Sequence, residues 1–222
     1  TLRPLSGKTR QEHDLLGNMN VPEEYYFGIQ TMRALENFHI SRVRLYFFPE
    51  LIRALADVKE AAAMANRDLG QLDGTIASAI IAACEEIKGG ALHDHFVVDM
   101  VQGGAGTSTN MNANEVIANR ALEILGHERG EYKYCHPNNH VNLSQSTNDA
   151  YPTAVKIALI RSIGKLVGSI KWLVEAFRAK GVEFAGVIKM GRTQLQDAVP
   201  MTLGQEFEAY AATLSEEVDR LE

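Results

Sequence analysis

Three short stretches of this chain gather small hydrogen-bonding residues just ahead of segments with helical periodicity. They are Gly103-Gly104-Ala105-Gly106-Thr107-Ser108-Thr109, Ser144-Gln145-Ser146-Thr147-Asn148-Asp149 and Gly191-Arg192-Thr193-Gln194-Leu195-Gln196-Asp197. The first N–H groups of a helix lack internal acceptors and carry partial positive charge, so a helix start favours an anion. Hydroxyl and amide side chains at the same place add neutral donors without bulk. Ser146, Thr147, Asn148 and Asp149 are also good N-cap residues, and Pro152 suits a first helical turn. Each stretch therefore has a plainer reading, as a cap or a tight glycine turn. The sequence offers no Ser/His/Asp order, paired carboxylates or Cys/His ligand set as a competing chemistry. Many neutral donors without an obvious base suit an elimination through a carbanion beside a carboxylate, whose developing charge such donors stabilise. Taken alone, these residues describe a binder of a small carboxylate, enzymatic or not.

The elements that must position these loops are helical. Pro49 opens a helix with Leu51, Ile52, Leu55, Val58 and Ala62 on one side and Gly70 beyond its end. Asp73 caps a second helix, from about Thr75 to Lys88, which Gly89-Gly90 stops. A third follows the glycine-rich loop to about Leu125. Its Asn110, Asn112, Asn114, Glu115, Asn119 and Arg120 are unusually polar, and asparagine is a poor mid-helix residue whose repetition points to buried polar contacts. Beyond Pro152 a helix of nearly thirty residues is expected, to about Lys180, with Leu159, Ile163, Leu166, Ile170, Leu173 and Phe177 as a lengthwise seam. Gly164 and Gly168 lie off that seam, where a neighbouring helix could approach. A last helix after Pro200 carries Leu203, Phe207, Tyr210, Leu214 and Leu221. The expected fold is all-α. A mostly helical domain with an irregular aromatic N-terminal arm spans 1–142, and the incomplete start of a central long-helix bundle spans 143–222.

Composition narrows the function. A charge of −6 over 222 residues, without a Lys/Arg cluster, gives no footprint for nucleic acid or an anionic membrane. No run of about 18 apolar residues exists, so no transmembrane helix is expected. Thr1–Arg10 is polar and lacks the apolar stretch of a signal peptide. Two cysteines, Cys84 and Cys135, suggest no disulfide framework and a cytoplasmic setting. His136 and His140 are four apart, but Pro137 is expected to interrupt any helix joining them. No metal site is assigned there or at His93-Asp94-His95. The absent initiator methionine, and a last helix that reaches Glu222 without a stop signal, suggest part of a longer chain.

The loops resemble those of the aspartase/fumarase superfamily, on its ammonia-lyase side. Gly103–Ser108 followed by Asn110-Met111-Asn112-Ala113-Asn114-Glu115 is similar to the family's first conserved region. Gln145-Ser146-Thr147-Asn148-Asp149 resembles the second, with Thr147 where fumarases more often have Ser. Asp14-Leu15-Leu16-Gly17 and Arg33-Ala34 with Glu36-Asn37-Phe38 match as well, so the likeness covers nearly the whole chain. It implies reversible elimination of ammonia from L-aspartate to give fumarate, without a cofactor. By position, Thr107, Ser146, Thr147, Asn148 and Thr193 would bind a small dicarboxylate substrate, with Gln194 completing the pocket. Ser108, Asn112 and Arg33 are weaker candidates. Gln194 stands where fumarases and some aspartases carry His, which argues against a fumarase and against a histidine base there. The family's base is a serine on a Gly-Ser-Ser loop, expected beyond residue 222, so no catalytic residue is assigned within this chain and the 222 residues alone are expected to be inactive. The resemblance also implies a homotetramer with sites shared between subunits. Fumarases have a second acid-binding region near the segment like His136-Pro137-Asn138, but Asn139 replaces the usual Asp, and no ligand set for magnesium is apparent. Two alternatives stay open: a class II fumarase or another lyase of the superfamily, and a non-catalytic helical assembly module.

Overall fold

The computed structural model of the protein describes residues 6–222. Residues 1–5, which the sequence reading places in the N-terminal arm, lie outside them. The chain forms two compact units, one running to Ala158 and the other spanning Leu159–Glu222. The architecture is helical, with two β-hairpins that periodicity did not announce.

In the first unit the arm begins as a hairpin, β1 (Thr9–Asp14) and β2 (Gly17–Pro22), paired from Thr9↔Pro22 to Asp14↔Gly17. Strand β1 is polar along its length, and the hairpin's one apolar alternation is the pair Met19 and Val21 of β2, with Val21 buried in the core. The turn is instead set locally: Asp14 Oδ1 accepts the Leu16 N–H at 2.9 Å, and Gly17 adopts φ +115°, which a side chain would disfavour. The aromatic segment behind it packs onto the body, with Tyr25 and Phe27 buried and stacked at 4.7 Å.

Four helices follow: α1 (Ile29–Asn37), α2 (Pro49–Asp68), α3 (Gly74–Lys88) and α4 (Thr107–Ile124). The apolar faces of α2, α3 and α4 form one core that includes Ile52, Leu55, Ile80, Ile87, Ile117 and Leu122. Many of its other members are alanines, which let helices approach closely. As expected, Asp73 caps α3, accepting the N–H groups of Thr75 at 2.8 Å and Ile76 at 3.1 Å.

The polar residues of α4 explain themselves by what they hold. Helix α1 has no side-chain cap of its own. Instead Glu115 accepts from the N–H groups of Gly28, Gln30 and Thr31 and from Thr31 Oγ1, while Glu12 accepts the Ile29 N–H at 2.8 Å. Two buried carboxylates thus sit at the positive end of α1. Burial pushes the Glu115 carboxyl up to about 7, against the pull of the Thr31 donors. Asn119 donates to Tyr26 O and Tyr132 Oη and accepts the Gly130 N–H. Helix α4 is accordingly a hub whose Glu115, Asn112 and Asn119 bond buried partners, while the Oδ1 atoms of Asn110 and Asn114 accept no hydrogen bond.

A short π-helical turn, Pro137–Val141, leads to α5 (Thr147–Glu183), 37 residues long. Contrary to expectation, Pro137 does not separate His136 from His140. It occupies the first position of the turn, where a missing N–H costs nothing. His140 Nδ1 then accepts the His136 N–H at 2.9 Å, and His136 Nδ1 accepts from Asn138 N and Asn139 N. These ring nitrogens are occupied by backbone. Among the described residues no cluster of His, Cys, Asp or Glu could hold a metal ion, and no helix is long and apolar enough to cross a membrane.

In the second unit the remainder of α5 is followed by a hairpin, β3 (Ile188–Thr193) with β4 (Gln196–Thr202), and by α6 (Leu203–Leu221). Thr202 and Gln205 form a capping box at the start of α6. Phe177 of α5 and Phe184, just past its end, pack against Phe207 of α6. The close approach expected at Gly164 and Gly168 occurs elsewhere, since a Cβ at either would have nothing within 4 Å. The tight positions are Gly181 and Gly204: a Cβ on Gly204 would lie 2.4 Å from Gly181 O. Of the anticipated seam, Leu159, Leu166 and Leu173 are exposed within this unit, and the buried stripe of α5 runs through Val167 and Val174.

Candidate active site

The first two donor loops meet in the first unit. Gly106 is the N-cap of α4 in the left-handed region at φ +84°, and the ring of Tyr151, from the first turns of α5, packs on it. A Cβ at Gly106 would fall 2.3 Å from Tyr151 Cδ1, so only glycine lets the two helix starts come this close. Asn110 Nδ2 reaches Thr147 Oγ1 at 3.2 Å, joining the first turn of α4 to that of α5.

Each loop is braced from behind. Gln102 Oε1 accepts the Thr109 N–H at 2.9 Å while its Nε2 donates to Thr109 Oγ1 at 2.8 Å, which closes the glycine-rich loop. Asp99 anchors the base of that loop. Desolvation opposes its charge, but Ser41 Oγ and the N–H groups of Ser41, Arg42 and Val101 hold its carboxyl down at about 2. In the second loop Ser146 caps α5. Its Oγ accepts the Asn148 N–H at 3.2 Å and its own N–H is taken by Asp149 Oδ2 at 3.1 Å.

That capping does not exclude ligand binding. A hydroxyl has two acceptor sites and one proton. Ser146 Oγ and Thr147 Oγ1 each accept from the protein, so each keeps its proton to donate outward. Thr107 and Asn148 are exposed beside them, and Ser108 is half-buried. These helix starts and hydroxyls form a preorganised set of neutral donors suited to a carboxylate.

The weaker candidates are engaged in structure. Asn112 is fully buried, its Oδ1 accepting the Val97 N–H at 2.9 Å and its Nδ2 donating to His95 O at 3.0 Å. Arg33 makes a two-pronged ion pair with Asp14, at 2.6 and 2.7 Å, and donates to Gly17 O. Both are spoken for within the fold.

Thr193 and Gln194 belong to the second unit. They lie at the exposed tip of the β3–β4 hairpin, where the third loop was expected to open directly into a helix. Gln194 and Leu195 adopt φ +49° and +63°, so two non-glycine residues occupy left-handed backbone in succession. Gly191 sits at the register irregularity, where a Cβ would lie 2.9 Å from Met201 Sδ.

Sequence reasoning missed the layer beneath the first two loops. Lys59 of α2 is fully buried, donating to Asn142 Oδ1 at 2.8 Å and Gln145 Oε1 at 2.9 Å. Asn110 and Asn114 of α4 also donate to Asn142 Oδ1, at 3.0 and 3.3 Å. Burial pushes the Lys59 ammonium down to about 7. The signal was present: Lys59 falls on the α2 face between Leu55 and Ala63, both buried, where a charged side chain is out of place. Both cysteines are buried with thiols pushed up by desolvation, Cys135 to about 12, so neither is a nucleophile.

The chain is similar to known proteins over nearly its whole length. A family model described as a lyase matches residues 17–222. An aspartate ammonia-lyase from Pseudomonas aeruginosa is 62% identical over 213 residues, covering 96% of this chain and 45% of its own length. One from Escherichia coli is 54% identical over 219 residues, covering 98% and 46%. Among solved structures, a fumarate lyase:delta crystallin from Brucella melitensis superposes with a TM-score of 0.89 at 61% identity, over 96% of this chain and 50% of that one. A class II fumarase from Schistosoma mansoni gives 0.84 at 40% identity, over 96% and 44%. The chain thus spans a little under half the length of the curated relatives it matches.

Proposed function

Because the chain belongs to the lyase family matched over residues 17–222, we propose that the protein containing it is an aspartate ammonia-lyase, converting L-aspartate to fumarate and ammonia. The observation that carries this reading is the juxtaposition of two helix starts, at Gly106–Ser108 and Ser146–Asn148, joined by the Asn110–Thr147 hydrogen bond. Removing the proton from Cβ of aspartate leaves its electron pair in the side-chain carboxylate, which then carries two negative charges. That pair forms the carbon–carbon double bond as ammonia leaves Cα. Hydroxyl protons of Thr107, Ser146 and Thr147 and the Asn148 amide suit the substrate carboxylates and the doubly charged intermediate. Donors aimed at developing charge are worth several kcal/mol, roughly 2.7–4 for a single oxyanion donor. Thr193 and Gln194 complete the pocket in this reading. The proton acceptor is a serine beyond residue 222.

The same reading makes 143–222 the start of a central helical bundle, follows 1–142 as a separate helical domain, and makes the protein a cytoplasmic homotetramer whose sites combine loops from several subunits. Exposed apolar residues on the second unit, Ile160, Leu166 and Trp172 among them, support burial against further helices. The deciding experiment follows ultraviolet absorbance of fumarate when full-length protein meets L-aspartate. Fumarate formation with ammonia release is expected. Fumarate from malate and none from aspartate would move the assignment to fumarase, and no turnover of either would overturn the enzymatic reading.

A further inference from the structure

Among the described residues, Lys59 is a buried cation with no carboxylate paired to it. Its two acceptors, Asn142 Oδ1 and Gln145 Oε1, are neutral amides. Around it lie Cys84 of α3, whose thiol stays protonated, and Asn110 and Asn114 of α4, which donate to the same Asn142 oxygen and whose own Oδ1 atoms accept no hydrogen bond. On its own helix, Glu60 is paired with Lys88 and Asp57 lies 3.8 Å from the same lysine. A buried ammonium is costly unless an opposite charge comes near it. Through the shared oxygen of Asn142, Lys59 is linked to Asn110 and thence to Thr147, at the mouth where donors converge.

We propose that Lys59 supplies the positive counter-charge for the dicarboxylate held at the two helix mouths, acting through Asn142, Gln145 and Asn110 without touching it. The inference deepens the lyase reading and rests on it. The site's visible donors are neutral, so a dianion there would otherwise lack a balancing charge from this unit. Lys59 is then a positioning and charge-balancing residue, not a catalytic one. Its hydrogen bonds also hold the 142–145 turn that delivers Ser146 and Thr147.

The consequence is proton linkage. In the free protein burial lowers the Lys59 ammonium toward neutrality, and a bound dianion favours the charged form. Below about pH 7 Lys59 is protonated with or without ligand, so binding moves no proton. Above it, binding draws a proton in, and affinity falls as pH rises until Lys59 is neutral in both states. Opposite charges on the order of 10 Å apart at an effective dielectric of about 20 give a change of about tenfold.

The test uses full-length protein and succinate, an unreactive dicarboxylate that is a dianion throughout neutral and mildly alkaline pH. Titration calorimetry in buffers of different ionisation enthalpy measures proton uptake directly, and the dissociation constant is followed from about pH 6 to about pH 9. Net uptake near pH 8 and roughly tenfold weakening across the range are expected in the wild type. Lys59→Met should lose the uptake and flatten the profile, while raising KM for aspartate more than it lowers kcat. Wild-type succinate binding that takes up no proton and ignores pH would overturn the proposal without any variant. An unchanged pH profile in a folded Lys59→Met protein would overturn it too. Fumarate production from aspartate alongside pH-independent succinate binding defeats the Lys59 inference alone. Neither turnover nor succinate binding defeats it together with the lyase reading.

Discussion

Replacing Gly106 by alanine isolates the contact that brings the two helix starts together. The new Cβ would be placed 2.3, 2.4 and 2.6 Å from Tyr151 Cδ1, Cγ and Cε1, far inside van der Waals contact, at a residue with φ +84°. Two costs follow. Holding an alanine in the left-handed region costs about 1–2 kcal/mol, and forcing the ring aside costs about 1–3 kcal/mol as for other overpacked sites. Gly106→Ala should therefore destabilise the protein by about 2–5 kcal/mol, with a comparable loss of kcat/KM as Thr107 and Thr147 move apart. In a Tyr151→Ala background the ring is gone and the backbone cost alone is left, about 1–2 kcal/mol. A double-mutant cycle by chemical denaturation, with fumarate formation measured on the same four proteins, should give a coupling of about 1–3 kcal/mol. If Gly106→Ala costs the same in both backgrounds, within about 0.5 kcal/mol, the ring does not set the spacing and the argument fails.

Three other outcomes follow from the structure. Glu115 has its folded-state carboxyl raised to about 7 against the ordinary carboxylate value of 4.5, so the unfolded chain loses this proton first and the group's contribution to stability falls as pH rises through that window. The stability advantage of wild type over Glu115→Gln should accordingly shrink by on the order of 2–3 kcal/mol between about pH 4.5 and pH 7.5, and a gap that widened with pH in urea titrations would contradict the burial argument. Leu195→Gly should stabilise the β3–β4 hairpin by about 1 kcal/mol, because Leu195 buries nothing and holds φ +63°; a lower denaturation midpoint would refute this. The purified 222-residue chain should form no fumarate from L-aspartate while full-length protein does, and turnover by the short chain would show that the base lies within it.

Much of this molecule was legible without coordinates. Asp73 and the Gly89-Gly90 pair bound α3 by local hydrogen bonding and backbone freedom, and such signals act over a few residues. The asparagines of α4 announced buried polar contacts because nothing local rewards asparagine inside a helix. Ser146 and Thr147 were identified as donors because their types and their place before an apolar run define a helix start.

What the sequence left undecided depends on partners distant along the chain. The hairpin at 9–22 alternates only at Met19 and Val21, too short a pattern to mark a strand; its turn chemistry and the capping of α1 by Glu12 specify it, and that acceptor is 17 residues from the amide it binds. Whether Asn112 and Arg33 face a ligand or the fold turned on Val97, His95 and Asp14, which only packing places beside them. Lys59 reads on paper as one more lysine of an amphipathic helix. Its burial, and its bonds to residues 83 and 86 positions away, arise only when α2, α4 and the 142–145 turn close around it. Residue types and short spacings determined which groups could bind a carboxylate; the meeting of two helix starts over a buried charge was decided by tertiary packing, because desolvation and charge coupling depend on distances through space.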